Sequence, residues 1–443
     1  MNKPTIPLSK FLKPTDTSYL VSLEIENVKC FKEKQTLRFA NDQNRPYRWT
    51  VLLGDNGTGK TTVLRSIFKT IEKRYFYRSV PSNLGLLVDV SFDDKSLITT
   101  KTNFNNNIES VSFSFDPNNG FGLYATPDKT IQSEVAYQGN IVFGYGASRK
   151  NDWLFTPLAL GELNNTEEYI AEGIKNELTS TLTNIFAKLK NLESYLLNLD
   201  YIRKTDRTKK SNIEFETIIQ ILKSVLPDVA GIRIRRADKN HFLEVEMPYG
   251  WINFRSLSLG YQTVAAWIGD LAIRLFEAYP NHKNPLAQPA VVMVDEIDLH
   301  LHPQWQLKIM DYLCERFPKT QFIVTAHSPL IVQSASDANV IMLERRGNQV
   351  VANTNTVSIK GWRIDQILGS DLFGSLDARS ANVQEKIRRR KELTLKTRLT
   401  AQEKKELAQL DNEVEALPTA ESPEMIQAME FIRQAAHNLN TKK

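Results

Sequence analysis

Apolar and polar positions alternate with period two over residues 21–28 and again over 35–39, which predicts two strands joined by a short turn. Residues 49–53 form a compact apolar run that enters a glycine-rich turn. From Thr61 to Arg74 the spacing changes, and Val63, Leu64, Ile67 and Ile71 fall on one side of a helix. A strand is expected over 85–92. Residues 93–135, rich in Asn, Asp, Ser and Thr, read as hairpins and loops, and 140–145 as another short strand. From about Thr166 to Leu226 the texture is helical, with Leu and Ile three or four residues apart between Tyr169 and Tyr201. That interval is too short for a long coiled-coil arm. After Pro227, short strands are expected over 231–235 and 242–247.

The second half resumes a strand–helix alternation: a helix over 261–279, a buried strand over 290–294, a helix over 304–317 and a buried strand over 321–325. Strands over 340–343 and 349–354 follow. Such alternation implies a mostly parallel sheet covered on both faces, an α/β fold. The C-terminal part reads as helices over 382–393, from Thr400 to about Leu417, and from Ser422-Pro423 to about Asn438. Thr400 with Glu403 forms a capping box, and Ser422-Pro423 an N-cap followed by proline at the first helical position.

Composition narrows the classes without choosing among them. Apolar residues make up 41% of 443, enough for real cores and too many for a disordered chain. Lys and Arg exceed Asp and Glu by 56 − 51 = 5, a weak excess that by itself says nothing of nucleic acid. Cys30 and Cys314 are too few for a disulfide framework or a cysteine-based zinc site. Residues 1–19 carry Pro4, Pro7 and Pro14 without an apolar core, so no signal peptide is expected. No apolar run approaches the ~18 residues of a membrane span, and a soluble, cytoplasmic protein is expected.

Gly54-Asp55-Asn56-Gly57-Thr58-Gly59-Lys60-Thr61 matches G-x-x-x-x-G-K-[ST], between a buried strand and a helix. Glycines there let backbone N–H groups turn in around phosphates, and the helix N-terminus adds positive partial charge. Lys60 is expected to meet the terminal phosphates of ATP, and the Thr61 hydroxyl to ligate Mg²⁺. Residues 290–296, Ala-Val-Val-Met-Val-Asp-Glu, form an apolar strand ending in two acids. In an α/β sheet such an end faces the ligand crevice, where Asp295 can hold the Mg²⁺ shell and Glu296 can polarise a water. His327, after the next buried strand, can sense the γ-phosphate. Leu257-Ser258-Leu259-Gly260-Tyr261-Gln262 opens the helix before the acid-ended strand; Ser258 could also be a plain N-cap.

The order phosphate loop, Leu-Ser-x-Gly-x-Gln, Asp-Glu strand and His resembles the ABC-type ATPase heads of the SMC, RecF and OLD-like class. That resemblance implies an ABC/SMC-like P-loop ATPase head with an antiparallel β-subdomain, a helical insert and C-terminal helices. It divides the chain into a first lobe (1–150), a helical insert (151–228), a second lobe (229–360) and a C-terminal helical region (361–443). It also implies a head-to-tail homodimer with shared ATP sites. Gly54, Asn56, Gly57, Gly59, Lys60, Thr61, Thr62, Asp295, Glu296 and His327 would act in cis; Ser258, Gly260 and Gln262 would act in trans. A glutamine loop is expected, at Gln138 or in residues 144–149. The opening residues 23–31 with Leu37-Arg38-Phe39, and residues 295–306, Asp-Glu-Ile-Asp-Leu-His-Leu-His-Pro-Gln-Trp-Gln, set the chain apart from transporter ATPases. They resemble the ATPase family of Septu and retron-type anti-phage defence systems (PtuA), as do residues 361–368.

Asp298, His300 and His302 have some metal-ligand character; the resemblance favours a loop that contacts the dimer partner. Residues 340–443 contain no Asp-x-Asp pair, and beyond His327 the only histidine is His437, so no nuclease site is expected. The resemblance implies a separate HNH-type nuclease partner instead. Basic residues cluster at 203–210, 233–239 and 385–398, suited either to DNA backbone contacts or to solvated faces and partner surfaces.

Overall fold

The computed structural model describes residues 12, 19–67, 96–104, 107–116, 120–126, 142–147, 189–205, 209–237, 240–335, 337–354, 361–374, 379–396 and 399–415. The strand expected over 85–92, Gln138, the Ser422-Pro423 helix and the beginning of the helical insert lie outside these residues. The chain divides into two compact units, residues 1–361 and 362–443.

The centre of the first unit is a six-stranded sheet in the order β14-β13-β3-β12-β11-β7. Its members are β3 (Trp49–Leu53), β7 (Val142–Tyr145), β11 (Ala290–Val294), β12 (Thr320–Thr325), β13 (Asn339–Arg346) and β14 (Gln349–Asn353). All neighbours run parallel except β13 and β14, an antiparallel hairpin at one edge. Every residue of β3, β11 and β12 is buried. Successive side chains point to opposite faces of a strand, so full burial means cover on both sides. This is the mostly parallel sheet expected from the alternation, and its order explains the site. β3 and β11 flank β12, which brings the phosphate loop after β3 next to the acids after β11.

A five-stranded antiparallel sheet, β2-β1-β4-β5-β6, packs on one face of the first. It comprises β1 (Tyr19–Glu26), β2 (Gln35–Arg38), β4 (Ser96–Phe104), β5 (Asn107–Asp116) and β6 (Gly120–Thr126). Leu23, Ile25, Leu37 and Phe39 from it share one core with Leu52, Met293, Ile323 and Leu343 of the parallel sheet. Gln321, wholly buried on β12, reaches the backbone of Leu20 with both ends of its amide, at 2.8 and 2.9 Å. It meets β1 at the bulge between Leu20 and Ser22, where the ladder slips.

The insert's described helices are α2 (Leu192–Thr205) and α3 (Lys209–Val225), α1 being residues 60–67 after the phosphate loop. A three-stranded antiparallel sheet follows, β10-β9-β8, with β8 (Gly231–Ala237), β9 (Asn240–Met247) and β10 (Gly250–Asn253). Next comes α4 (Leu259–Ala278), whose second to fifth turns are buried on all sides. The helix expected over 304–317 is two pieces, α5 (Pro303–Gln306) and α6 (Ile309–Arg316). α7 (Pro329–Ser334) follows β12. No described helix is long and apolar enough to cross a membrane.

In the second unit, α8 (Ile364–Leu368) precedes a hairpin of α9 (Ala381–Leu395) and α10 (Ala401–Glu415). The capping box is formed: Thr400 N–H donates to Glu403 at 2.9 Å and Glu403 N–H to Thr400 Oγ1 at 3.2 Å. Lys386, Arg389 and Arg390 of α9 pair across the hairpin with Glu413, Glu406 and Asp411 of α10.

Candidate functional site

The phosphate loop leaves the buried end of β3 and enters α1. Gly54, Gly57 and Gly59 have φ of 143°, 78° and 83°. At Gly59 the conformation is reinforced by contact, since a Cβ there would lie 2.6 Å from Cys30 Sγ and 2.8 Å from Phe31 Cε2. The turn after β1 therefore forms the floor of the loop. Burial pushes the Cys30 thiol up, so it stands there as an apolar neighbour. Gly59→Ala combines positive φ with overlap and should weaken ATP binding at least tenfold, roughly 1.4 kcal/mol. A fluorescent-ATP titration checks this; parental affinity would remove the loop from the site.

Lys60 is 7% exposed, and its ammonium donates to the carbonyls of Gly54 (2.7 Å) and Asp55 (2.9 Å). Burial lowers its pKa, against the raising fields of Asp295, Glu296, Asp55 and Asp298. Thr61 donates its hydroxyl to Asp295 Oδ2 at 2.7 Å, which ties α1 to the end of β11. Thr325, at the end of β12, donates to Asp295 Oδ1 at 2.7 Å while its Oγ1 accepts from Glu296 N–H at 2.7 Å. Asp295 N–H donates to Tyr145 O of β7 and Ile297 N–H to Thr325 O. Glu296 itself has φ 50°, a left-handed conformation costing about 1–3 kcal/mol that these flanking bonds hold in place. Asn56 and Gly57 are exposed, and Thr62 is buried in the first turn of α1.

The oxygen pair of Thr61 and Asp295 fits a Mg²⁺ ion, which takes hard oxygen ligands and completes its shell with water and phosphate. Among the described residues, no group of three or more His, Cys, Asp or Glu side chains could hold a metal ion. Asp298, His300 and His302 therefore do not form a metal cage. Asp298 Oδ2 instead accepts from His327 N–H at 3.0 Å, and His302 caps α5 by accepting from Gln304 N–H. The His327 residue is exposed at the rim.

In the Leu-Ser-x-Gly-x-Gln segment, Ser258 and Leu259 lie on the surface. Ser258 is the N-cap of α4 by backbone geometry but makes no side-chain cap bond, so capping does not explain its hydroxyl. Leu259 is 50% exposed. A Cβ on Gly260 would lie 2.6 Å from the His300 carbonyl, so this glycine is needed for contact with the loop after the acids. Gln262 is buried and its amide donates to the carbonyls of Arg255 (2.9 Å) and Leu257 (2.7 Å). It shapes the segment from inside. Arg255 in turn donates to Glu193 of α2, a carboxylate only 1% exposed, at 2.6 Å. The helical insert thus holds the turn that presents Ser258. Of the two glutamine-loop candidates, Tyr145 and Gly146 lie beside Asp295, while Gln138 is outside the described residues.

In two basic clusters of the first unit, Arg203, Lys204, Arg233, Arg235 and Arg236 are matched by internal carboxylates. Asp200 accepts from Arg203, Lys204 and Arg236, which together outweigh its burial and hold its carboxyl low; Glu244 accepts from Arg233 and Arg235. Thr325 is a member of the centre that no motif announces, whereas Tyr145 falls within the 144–149 glutamine-loop candidate. The available signal for Thr325 is a hydroxyl that ends the apolar run 322–324.

Residues 49–333 match the family model described as an AAA domain, putative AbiEii toxin, type IV TA system. The chain is 27% identical over 369 residues to the Septu protein PtuA of Bacillus mycoides (strain KBAB4), covering 81% of this chain and 45% of that protein. It therefore spans less than half the length of that relative. It is 24% identical to the Retron Ec83 probable ATPase of Escherichia coli, over 73% of this chain and 71% of that protein. Among solved structures, the SMC head domain from Thermotoga maritima is similar at TM-score 0.42 and 15% identity, covering 76% of this chain and 99% of that one.

Proposed function

This chain belongs to the AAA-domain family described as putative AbiEii toxins of type IV TA systems, and from that premise we propose that it is a slowly hydrolysing ATPase of anti-phage defence. ATP with Mg²⁺ closes a head-to-tail homodimer, and hydrolysis reopens it. The observation that carries this is the join of Thr61, Asp295 and Thr325 behind a buried Lys60, a phosphate and metal centre with Glu296 beside it. Gly54, Asn56, Gly57, Gly59, Lys60, Thr61 and Thr62 bind the nucleotide, and Thr61 and Asp295 hold the metal. Glu296 acts as base and His327 as the γ-phosphate sensor. The exposed Ser258 and the half-buried Gly260 serve the partner's nucleotide, with Gln262 shaping their turn. Similarity to the Septu protein and the retron ATPase supports the further reading that closure regulates a separate HNH-type nuclease. Direct DNA binding, as in RecF-like repair heads, is the second outcome to test. The matched charges around Asp200 and Glu244 weigh against it.

Mixing two inactive variants tests the shared site. Lys60→Ala removes the cis cation and Ser258→Arg blocks the trans segment, so each alone should be idle. Mixed dimers hold one site with neither change, and the mixture should regain turnover. No recovery would mean that Ser258 and Lys60 do not serve one nucleotide across the dimer. Native co-purification tests the partner. A stoichiometric nuclease subunit supports the defence reading, and a homodimer carrying only DNA would replace it with repair.

A further inference from the structure

Asp298 has no part in the cycle proposed above, yet its placement is specific. Its Oδ2 accepts from His327 N–H at 3.0 Å. Its Oδ1 is shielded from solvent and has no hydrogen-bond partner. Its carboxylate is close enough to act on Lys60, together with Asp295, Glu296 and Asp55. Nor can it swing away. Gln306 of α5 donates to the carbonyls of Asp298 (3.4 Å) and Leu301 (3.1 Å), and its Oε1 accepts from the Ser328 hydroxyl at 2.5 Å. The loop after the acids is thus clipped to the end of β12 at two points.

A carboxylate oxygen withheld from water and left without a donor is costly, so the arrangement favours a state in which a donor arrives. Three backbone donors of its own loop and the Lys60 ammonium are already engaged. Ile297 N–H is bound to Thr325 O, Leu299 N–H to Glu296 O and Leu301 N–H to Asp298 O, while the Lys60 ammonium faces Gly54 and Asp55. ATP hydrolysis itself brings one more donor to this place, the attacking water.

We propose that Asp298 is a second water-binding carboxylate of the hydrolytic centre, accepting one hydrogen of the attacking water at Oδ1 while Glu296 removes the other. The assignment rests on the reading of Glu296 as base. In the step, one O–H bond of water breaks and its proton passes to the Glu296 carboxylate. The oxygen lone pair forms the new bond to the γ-phosphorus, and the bond from that phosphorus to the β,γ-bridging oxygen breaks with its electrons leaving on ADP. The second hydrogen stays on the transferred oxygen, held by Asp298 through the attack. His327 keeps its place because Oδ2 binds its backbone.

Asp298→Asn separates this role from a structural one. An asparagine oxygen can still accept from His327 N–H, while its NH₂ presents hydrogens where the water must donate. The variant should melt at the parental temperature and bind ATP with parental Kd. Its kcat should fall on the order of 10²-fold with KM little changed, as expected when a reacting water is misplaced. Because both carboxylates act on one water, Glu296→Gln with Asp298→Asn should be no slower than Glu296→Gln alone. Parental kcat in Asp298→Asn, or losses that multiply in the double variant, would overturn the assignment. So would early melting or weak ATP binding, which would make Asp298 a structural clip. Parental turnover in Glu296→Gln alone is a different failure: it removes the base, and with it the premise.

Discussion

Glu296→Gln is expected to bind ATP as the parent does and to lose turnover by roughly 10²-fold or more, the usual share of a general base. The argument rests on how the two acids after β11 are treated. Asp295 is 4% exposed and accepts hydroxyl hydrogens at both oxygens, from Thr61 and Thr325, so it is held in place from two sides. Glu296 is half-buried on a left-handed backbone that turns it out of the strand direction, with its N–H fixed on Thr325. A side chain kept at that conformational cost beside the phosphate loop fits a role in the reaction better than one in folding. Glutamine keeps the size of the side chain and removes its ability to take a proton. Phosphate release and ATP titration on the same preparation give the answer. Parental turnover would end the role of Glu296 as base, and loss of ATP binding would make it a ligand.

Much of this centre is legible in the chain because its parts are local. The phosphate loop, the strand Ala290–Val294 and the turn into α4 each declare themselves within ten residues, by glycine spacing or by an apolar run that stops at an acid. The capping box at Thr400 and Glu403 is equally local. What escaped reading depends on strand order. Only once β12 lies between β3 and β11 does Thr325 reach Asp295, and only beside β7 does Tyr145 O receive its N–H. The placement of Gln262 likewise comes from the fold. A polar residue one turn into a surface motif looks available to a ligand, and the fold turns it inward to hold the carbonyls that precede Ser258. The basic clusters are visible as composition, but part of their pairing comes from other elements, as Asp200 of α2 pairs with Arg236 of β8 across 36 residues.

Asp270 carries the largest stability effect expected here. It lies in the middle of α4, where nearly every neighbour is apolar, and with Arg274 it forms an i,i+4 pair that no surface helix face explains. The carboxylate is wholly buried and fully used. It accepts from Tyr145 Oη at 2.9 Å, Lys190 N–H at 2.8 Å and Arg274 Nε at 2.7 Å. Burial opposes the Arg274 charge, and Asp270 with its surroundings more than offsets that, so the guanidinium is held above its ordinary value. Asp270→Ala would leave that cation, 9% exposed, without its counter-ion, at a cost of about 3–5 kcal/mol and a melting temperature lower by roughly 5 °C or more. The same network joins β7 and Lys190, just before α2, to the helix that presents Ser258. The Tyr145 carbonyl also receives Asp295 N–H, so the Asp295 end of β11 should loosen with it. Asp270→Ala with Arg274→Met removes both charges and should recover much of the melting temperature, because a buried pair costs most when only one partner is lost. Recovery of stability with impaired turnover would assign the network to joining the insert and α4 to β11. Full recovery of both would leave it as packing alone.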